Sequence, residues 1–230
     1  MVEACLNKRC QNCFLNKAYC NALSNSELAK MNKLRVELSY KRGESICKQG
    51  AFASSIICIH SGLVKVHKEN TNASFTLLLK KQGEVIGLQA LFNKGIYHSS
   101  AEALTDTNTC SIDLPVFQQL LLENPKFSVE VIKSINEELV EVFDRLFSLS
   151  TKHVHGRLAE FLLYLKNNVY KSNPFYLTLS KTDMAEILGT SKESMSRLFK
   201  ELKNDKIIEE FEHSIKIINE VKLNRISVTG

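Results

Sequence analysis

Leu177-Thr178-Leu179-Ser180-Lys181-Thr182-Asp183-Met184-Ala185-Glu186-Ile187-Leu188-Gly189-Thr190-Ser191-Lys192-Glu193-Ser194-Met195-Ser196-Arg197-Leu198-Phe199-Lys200-Glu201-Leu202-Lys203 reads as two helices that meet at one glycine. Ser180 is a helix-capping residue, and Asp183 falls where the first exposed amides favour negative charge. Met184, Ile187 and Leu188 supply the apolar face of the first helix. Gly189 offers the tight turn that lets a second helix cross the first. In that second helix Met195, Leu198, Phe199 and Leu202 follow the i, i+3, i+4, i+7 rule and predict a buried stripe. Lys192, Glu193, Ser196, Arg197, Lys200 and Lys203 are left for the opposite side.

That opposite side has the chemistry of a helix entering a major groove. Its first turns face base edges while later lysines reach phosphates. Arg197 carries a planar fork that can bond guanine O6 and N7 together, and Glu193 can accept from a cytosine amino group. Plainer readings exist for each. With Thr190 as N-cap, Thr190 to Glu193 is a capping box, and Arg197 with the lysines can be a solvated face.

Outward from this run, Ile207-Ile208-Glu209-Glu210-Phe211 and Ser214-Ile215-Lys216-Ile217-Ile218 predict a β-hairpin turning through Glu212 and His213. Upstream, from about His153, come two helical segments. Before them a long helix starts near Pro125 and runs without Gly or Pro to about Lys152. Along it Ile132, Ile135, Leu139, Val142, Leu146 and Leu149 recur at alternating steps of three and four, a seam on which two copies can pair. The alternative is a helix packed on its own roll; Phe143 and Phe147, beside the seam, can cover the roll while the seam meets the partner, so that one helix does both jobs. From Leu23 to about Leu122 six of the nine glycines alternate with short β-type runs, such as Ser55 to His60, Leu63 to Val66 and Phe75 to Leu79. This pattern predicts a β-roll or jelly roll. The fold class is therefore α+β, with a cysteine-rich segment at 1–22, a roll at 23–122, a long helix at 123–152 and a winged helix-turn-helix at 153–230.

This order of parts, and the residues within them, resembles the CRP/FNR family across nearly the whole chain. The resemblance rests on Leu177 through Ser180 and Ile187 through Arg197, on Tyr40-Lys41-Arg42-Gly43-Glu44 with Gln49-Gly50, and on Ile59-His60-Ser61-Gly62-Leu63-Val64-Lys65-Val66. The spacing of Glu193, Ser196 and Arg197 is similar to the FNR branch, while Lys192 departs from both branches. The resemblance implies a homodimer on double-stranded DNA with two-fold related, TTGAT-like half-sites, and RNA polymerase as a further partner if the protein activates.

A roll that binds a cyclic nucleotide opens with Gly-Glu and supplies an Arg-Ser pair some ten residues on. Here Gly83-Glu84-Val85-Ile86-Gly87 gives the opening, but Gly95-Ile96-Tyr97-His98-Ser99-Ser100-Ala101 has no arginine. Without that fixed cation a buried phosphodiester lacks its main counter-charge, so no cyclic nucleotide is expected, and Gly83 and Gly87 read as turn residues. The cysteines are the better sensor. Cys10-x-x-Cys13 followed by Cys20 is a compact thiolate group of the sort that holds a metal or cluster. Spacing alone does not pair Cys110 with them. The resemblance to FNR oxygen sensors implies a 4Fe–4S cluster on Cys10, Cys13, Cys20 and Cys110, although six residues separate Cys13 from Cys20 where that pattern has five. A four-thiolate zinc site and simple thiols are the alternatives. Cys5 lies outside the group, and Cys47 and Cys58 read as small buried hydrophobes.

On this reading an intact cluster ties the N-terminal segment to the roll and favours the dimer; oxidation releases the tie. Glu137, Glu138 and Glu141 crowd acid around the long helix and would weaken the dimer without the cluster, whereas Val142 in the seam argues for a dimer that forms regardless. Composition sets only loose bounds. A net charge of +5 is compatible with nucleic acid without demanding it. MVEACLNKRCQNC is no signal peptide, no segment reads as membrane-spanning, and seven cysteines without export signals suit the reducing cytosol. No acid–base or nucleophile constellation suggests an enzyme. An iron–sulfur redox protein would have no use for the Glu193, Ser196 and Arg197 face. A cupin-type metalloenzyme would have only His60, His67 and His98 in the roll, without a close His-x-His pair.

Overall fold

The glycine-punctuated β-type runs become the strands of a roll, in a computed structural model that describes residues 21–230. In chain order they are β1 (Arg35–Tyr40), β2 (Ser45–Cys47), β3 (Ser55–Ser61), β4 (Leu63–Glu69), β5 (Ser74–Lys81), β6 (Val85–Ile86), β7 (Ser100–Ala103) and β8 (Thr107–Asp113). They form two antiparallel four-stranded sheets, ordered β1-β8-β3-β6 and β2-β7-β4-β5. Alternation along β3 gives each side of its sheet a separate core. Ile57 and Ile59 pack inside the roll with Val64, Ile86, Tyr97, Ala101 and Ala103. Ile56 faces the other way, with Ile112.

Helices cover that second face. Helix α1 (Asn25–Lys33) starts at a capping box in which Ser24 and Glu27 satisfy each other's backbone amides. Helix α2 (Leu114–Glu123) begins where Asp113 accepts from the Val116 amide at 3.2 Å and Pro115 fills the first turn. Leu28, Met31, Phe117 and Leu120 from these helices, with Phe127 and Val131 of the long helix, close over Ile56 and Ile112. The sequence reading had assigned this stretch to the roll without either helix.

The long helix α3 (Pro125–Thr151) spans the predicted range, and the chain divides within it into one compact unit ending at Glu141 and another, Val142–Gly230. The second unit contains α4 (Val154–Tyr164), a π-helical segment (Leu165–Tyr170), β9 (Phe175–Tyr176), α5 (Lys181–Leu188), α6 (Lys192–Asn204), the strands β10 (Ile208–Phe211) and β11 (Ser214–Ile217), and a closing helix α7 (Glu220–Thr229). The predicted hairpin is present as β10-β11, and β9 joins it to make a three-stranded wing. Helix α7 was not anticipated. It packs so closely on α4 that a Cβ on Gly156 would stand 2.5 Å from the Gly230 carbonyl oxygen, so only glycine fits at 156.

Glu138 corrects one expectation. Instead of crowding acid around the helix, it is buried and ion-paired with Lys80, while Gln89 donates to its second oxygen at 2.7 Å. A neutralised, hydrogen-bonded carboxylate adds little repulsion, which leaves Glu137 and Glu141 as the exposed acids of that group.

Candidate nucleic-acid interface

The crossing of α5 and α6 is fixed by local chemistry at both ends of α5. Ser180 accepts from the Asp183 amide at 3.0 Å, and Asp183 accepts from the Ser180 amide at 2.8 Å. At the far end Gly189 adopts φ 60° and ψ 49°, the left-handed region where any side chain is strained. The Thr190 amide then donates to Ala185 at 3.0 Å, closing the helix. Because Thr190 is committed to the end of α5, α6 starts one residue later than the sequence suggested. Ser191, not Thr190, is its N-cap and accepts from the Ser194 amide at 3.1 Å.

Glu193 consequently sits at the second helical position, outside a capping box with Thr190. Its carboxylate is held below the usual glutamate range by its own backbone amide, then by the Ser191 hydroxyl. The expected stripe of Met195, Leu198, Phe199 and Leu202 is fully buried. Lys192, Glu193, Ser196, Arg197, Lys200 and Lys203 are all exposed along the outside of α6. The Arg197 side chain is 72% exposed, and its nearest acid is Glu201 at 3.8 Å. Lys203 reaches Glu210 on the wing at 2.6 Å, so its ammonium is already shared with an acid of its own unit.

Sequence reasoning missed two supports. Arg145, near the end of α3, donates to the Ile187 carbonyl at the last turn of α5. The Lys181 ammonium lies 5.7 Å from the centre of the Phe199 ring, linking the two helices across their crossing. The Arg145 contact spans 42 residues and leaves no local signal.

On α3, Ile132, Ile135, Leu139 and Leu146 of the predicted seam are 64%, 41%, 47% and 53% exposed, while Val142 and Leu149 are half-buried. Phe143 and Phe147, beside the seam, are exposed as well.

Of the predicted metal ligands, Cys110 lies half-buried on β8, and Cys10, Cys13 and Cys20 lie outside the described residues. Among the described residues no group of three or more His, Cys, Asp or Glu is arranged to hold a metal ion. Cys47 is buried, and burial pushes its thiol up to about 11. Cys58 is half-buried rather than enclosed, packed against the core cluster of the helix-covered face. Gly83 and Gly87 both have positive φ and serve as turns. In the stretch that lacks an arginine, His98 has its Nε2 buried with no hydrogen-bond partner among the described residues.

Comparison with known proteins agrees with this architecture. Residues 37–124 match the model of the cyclic nucleotide-binding domain, and residues 156–226 match that of the Crp-like helix-turn-helix domain. Electron transport regulator A of Shewanella oneidensis is 26% identical over 192 residues, covering 81% of this chain and 76% of that protein. The fumarate and nitrate reduction regulatory protein of Vibrio cholerae is 25% identical over 227 residues, covering 95% and 90%. The structure of FixK2 from Bradyrhizobium japonicum superposes with a TM-score of 0.78 at 20% identity, covering 86% of this chain and 99% of that one. No described helix is long and apolar enough to cross a membrane. A roll, a long helix and a winged helix-turn-helix, matched in this order by sequence and by shape, place the chain in the CRP/FNR family of DNA-binding transcription regulators.

Proposed function

We propose that the chain acts as a homodimer that reads two-fold related half-sites in duplex DNA and adjusts that binding to oxygen or redox state. The observation that carries the DNA reading is the division of α6 into a buried apolar stripe and an exposed side with Glu193, Ser196 and Arg197 in its first two turns. Those three contact base edges, and Lys192, Lys200 and Lys203 contact phosphates. A TTGAT-like half-site follows from the family resemblance. The exposed apolar residues Ile132, Ile135, Leu139 and Leu146, with Val142 and Leu149, form the dimer seam. A cytoplasmic location goes with this reading. One relative is named as transcriptional activator protein Anr, of Pseudomonas protegens; an activating role here would add RNA polymerase as a partner. Selection of binding sites from random duplexes tests this reading. A two-fold symmetric motif is expected, and a motif without symmetry overturns it.

The sensing part rests on thiolates. Cys10, Cys13, Cys20 and Cys110 would hold a 4Fe–4S cluster, which supplies a group that oxygen or nitric oxide degrades. Support comes from the position of Cys110: half-buried on the helix-covered face of its sheet, the side whose core cluster Ala22, two residues after Cys20, also packs against. Ala22 is itself held there, its carbonyl accepting from Asn124 at 2.8 Å. A ligand bond from Cys110 to the N-terminal cysteines would fasten that segment to the roll. With no arginine between Gly95 and Ala101 to pair with a phosphate, this reading does not take a cyclic nucleotide as the signal. Iron and sulfide analysis of anaerobically purified protein should find both, and Cys110→Ser should lose them. Zinc in place of iron, or unchanged iron in the variant, overturns the proposal.

A further inference from the structure

Two cysteines that look unrelated in the sequence are neighbours across one strand pair. β3 and β8 run antiparallel, with Cys58 directly opposite Cys110 and Ile56 opposite Ile112. Because side chains alternate faces along a strand, the cysteines share the face of Ile56 and Ile112, the one covered by helices. Both are thiols and both are half-buried rather than enclosed. Cys47 is a thiol as well, but it is enclosed in the core inside the roll. Directly opposed residues in an antiparallel pair have Cα atoms about 4.5–5.5 Å apart. That lies within the roughly 4.4–6.8 Å that a disulfide bridges. The sheet therefore already holds the two thiols at bonding range.

We propose that Cys58 and Cys110 form a reversible cross-strand disulfide, with a low-molecular-weight disulfide as the oxidant. The Cys110 sulfur attacks one sulfur of the oxidant, giving a mixed disulfide and releasing one small thiol. The Cys58 sulfur then attacks Cys110, forming the protein disulfide and expelling the second small thiol. The two protons lost by the protein thiols leave with the two small thiols. Two protein thiols are oxidised and one small disulfide is reduced, a balanced two-electron exchange. The bond needs no metal. Its consequence, that Cys110 is withheld as a ligand until the bond is reduced, rests on the cluster reading above.

The test uses the full chain after chelation, with metal content checked to be nil, treated with glutathione disulfide without oxygen, alkylated and digested with trypsin. Cys58 and Cys110 fall in tryptic peptides 49–65 and 95–126, each with a single cysteine. The expected product is these two peptides joined, two hydrogens lighter than their sum and separated by reductant. Cys47, in peptide 43–48, stays unoxidised as an internal standard. In Cys58→Ser the 95–126 peptide instead carries glutathione. Cys58→Ala, which keeps a small apolar group at the packed position, gives the same result if serine disturbs the fold. Recovery of both peptides unjoined overturns the proposal, as does a dominant link from Cys110 to Cys10, Cys13 or Cys20. The iron content of anaerobic Cys58→Ala separates the two ideas. Iron retained at the wild-type level leaves Cys58 as a disulfide partner only, and iron lost makes it a ligand and overturns the proposal. If the wild type holds no iron, the cluster reading fails while the peptide result still decides this one.

Discussion

Helices α6 and α3 are both amphipathic, yet they present opposite sides to the outside. α6 buries Met195, Leu198, Phe199 and Leu202 within its own unit and exposes lysines, a glutamate and an arginine. α3 leaves Ile132, Ile135, Leu139 and Leu146 exposed in a line. Burying one such side chain is worth about 1.5–3 kcal/mol, so an exposed line of four is a strong incentive to pair with a like surface. The face left uncovered thus indicates the partner: a polar, charged edge for DNA in α6, an apolar seam for a second copy in α3.

The comparison breaks most visibly at the seam. Leu139→Asp puts a charge where two apolar stripes meet and should weaken self-association by about a hundredfold or more, since about 1.4 kcal/mol is tenfold. Sedimentation equilibrium would read this, and an unchanged dimer constant would remove α3 as the interface. The fold of the single chain should survive, because Leu139 is exposed there. A smaller effect is expected at the start of α6. Ser191→Ala removes the cap and should cost about 0.5–2 kcal/mol in denaturant unfolding. Thr190→Ala should stay within about 0.5 kcal/mol, and the reverse order would restore Thr190 as the cap. The smallest effect belongs to Lys203→Ala. It should weaken binding to all DNA sequences alike and lower the slope of log affinity against log salt by about 1. Because Lys203 already pairs with Glu210, a slope change nearer zero would show that this ion pair persists on DNA.

Much of α5 and α6 was legible because their signals are local: a period of 3.6, the Gly189 turn and the capping Ser180 fall within a short run. The neighbouring choice between Thr190 and Ser191 was not, since it depends on where the Thr190 amide donates. The strands with apolar β-type runs, β3, β4 and β5, were readable for similar reasons. Helices α1 and α2 were overlooked inside a glycine-rich region, although Ser24 with Glu27, and Asp113 with Pro115, are start signals in hindsight. Helix α7 gave no clean stripe, because Val221 and Val228 are exposed while Leu223 and Ser227 are buried. Contacts such as Lys80 to Glu138, Arg145 to Ile187 and Cys58 opposite Cys110 join distant positions, and only folding brings them together.

The account stands on Arg197 reading a base. The most direct measurement is the ratio of affinity for the selected two-fold site to affinity for random duplex, at one fixed salt concentration, in wild type and Arg197→Ala. Loss of a bidentate base contact is worth about 1–3 kcal/mol per half-site, so the ratio should fall by about 5- to 150-fold for each half-site while weak, salt-sensitive binding remains. A ratio equal to that of the wild type would contradict the assignment of the α6 outer face as the surface that reads DNA sequence.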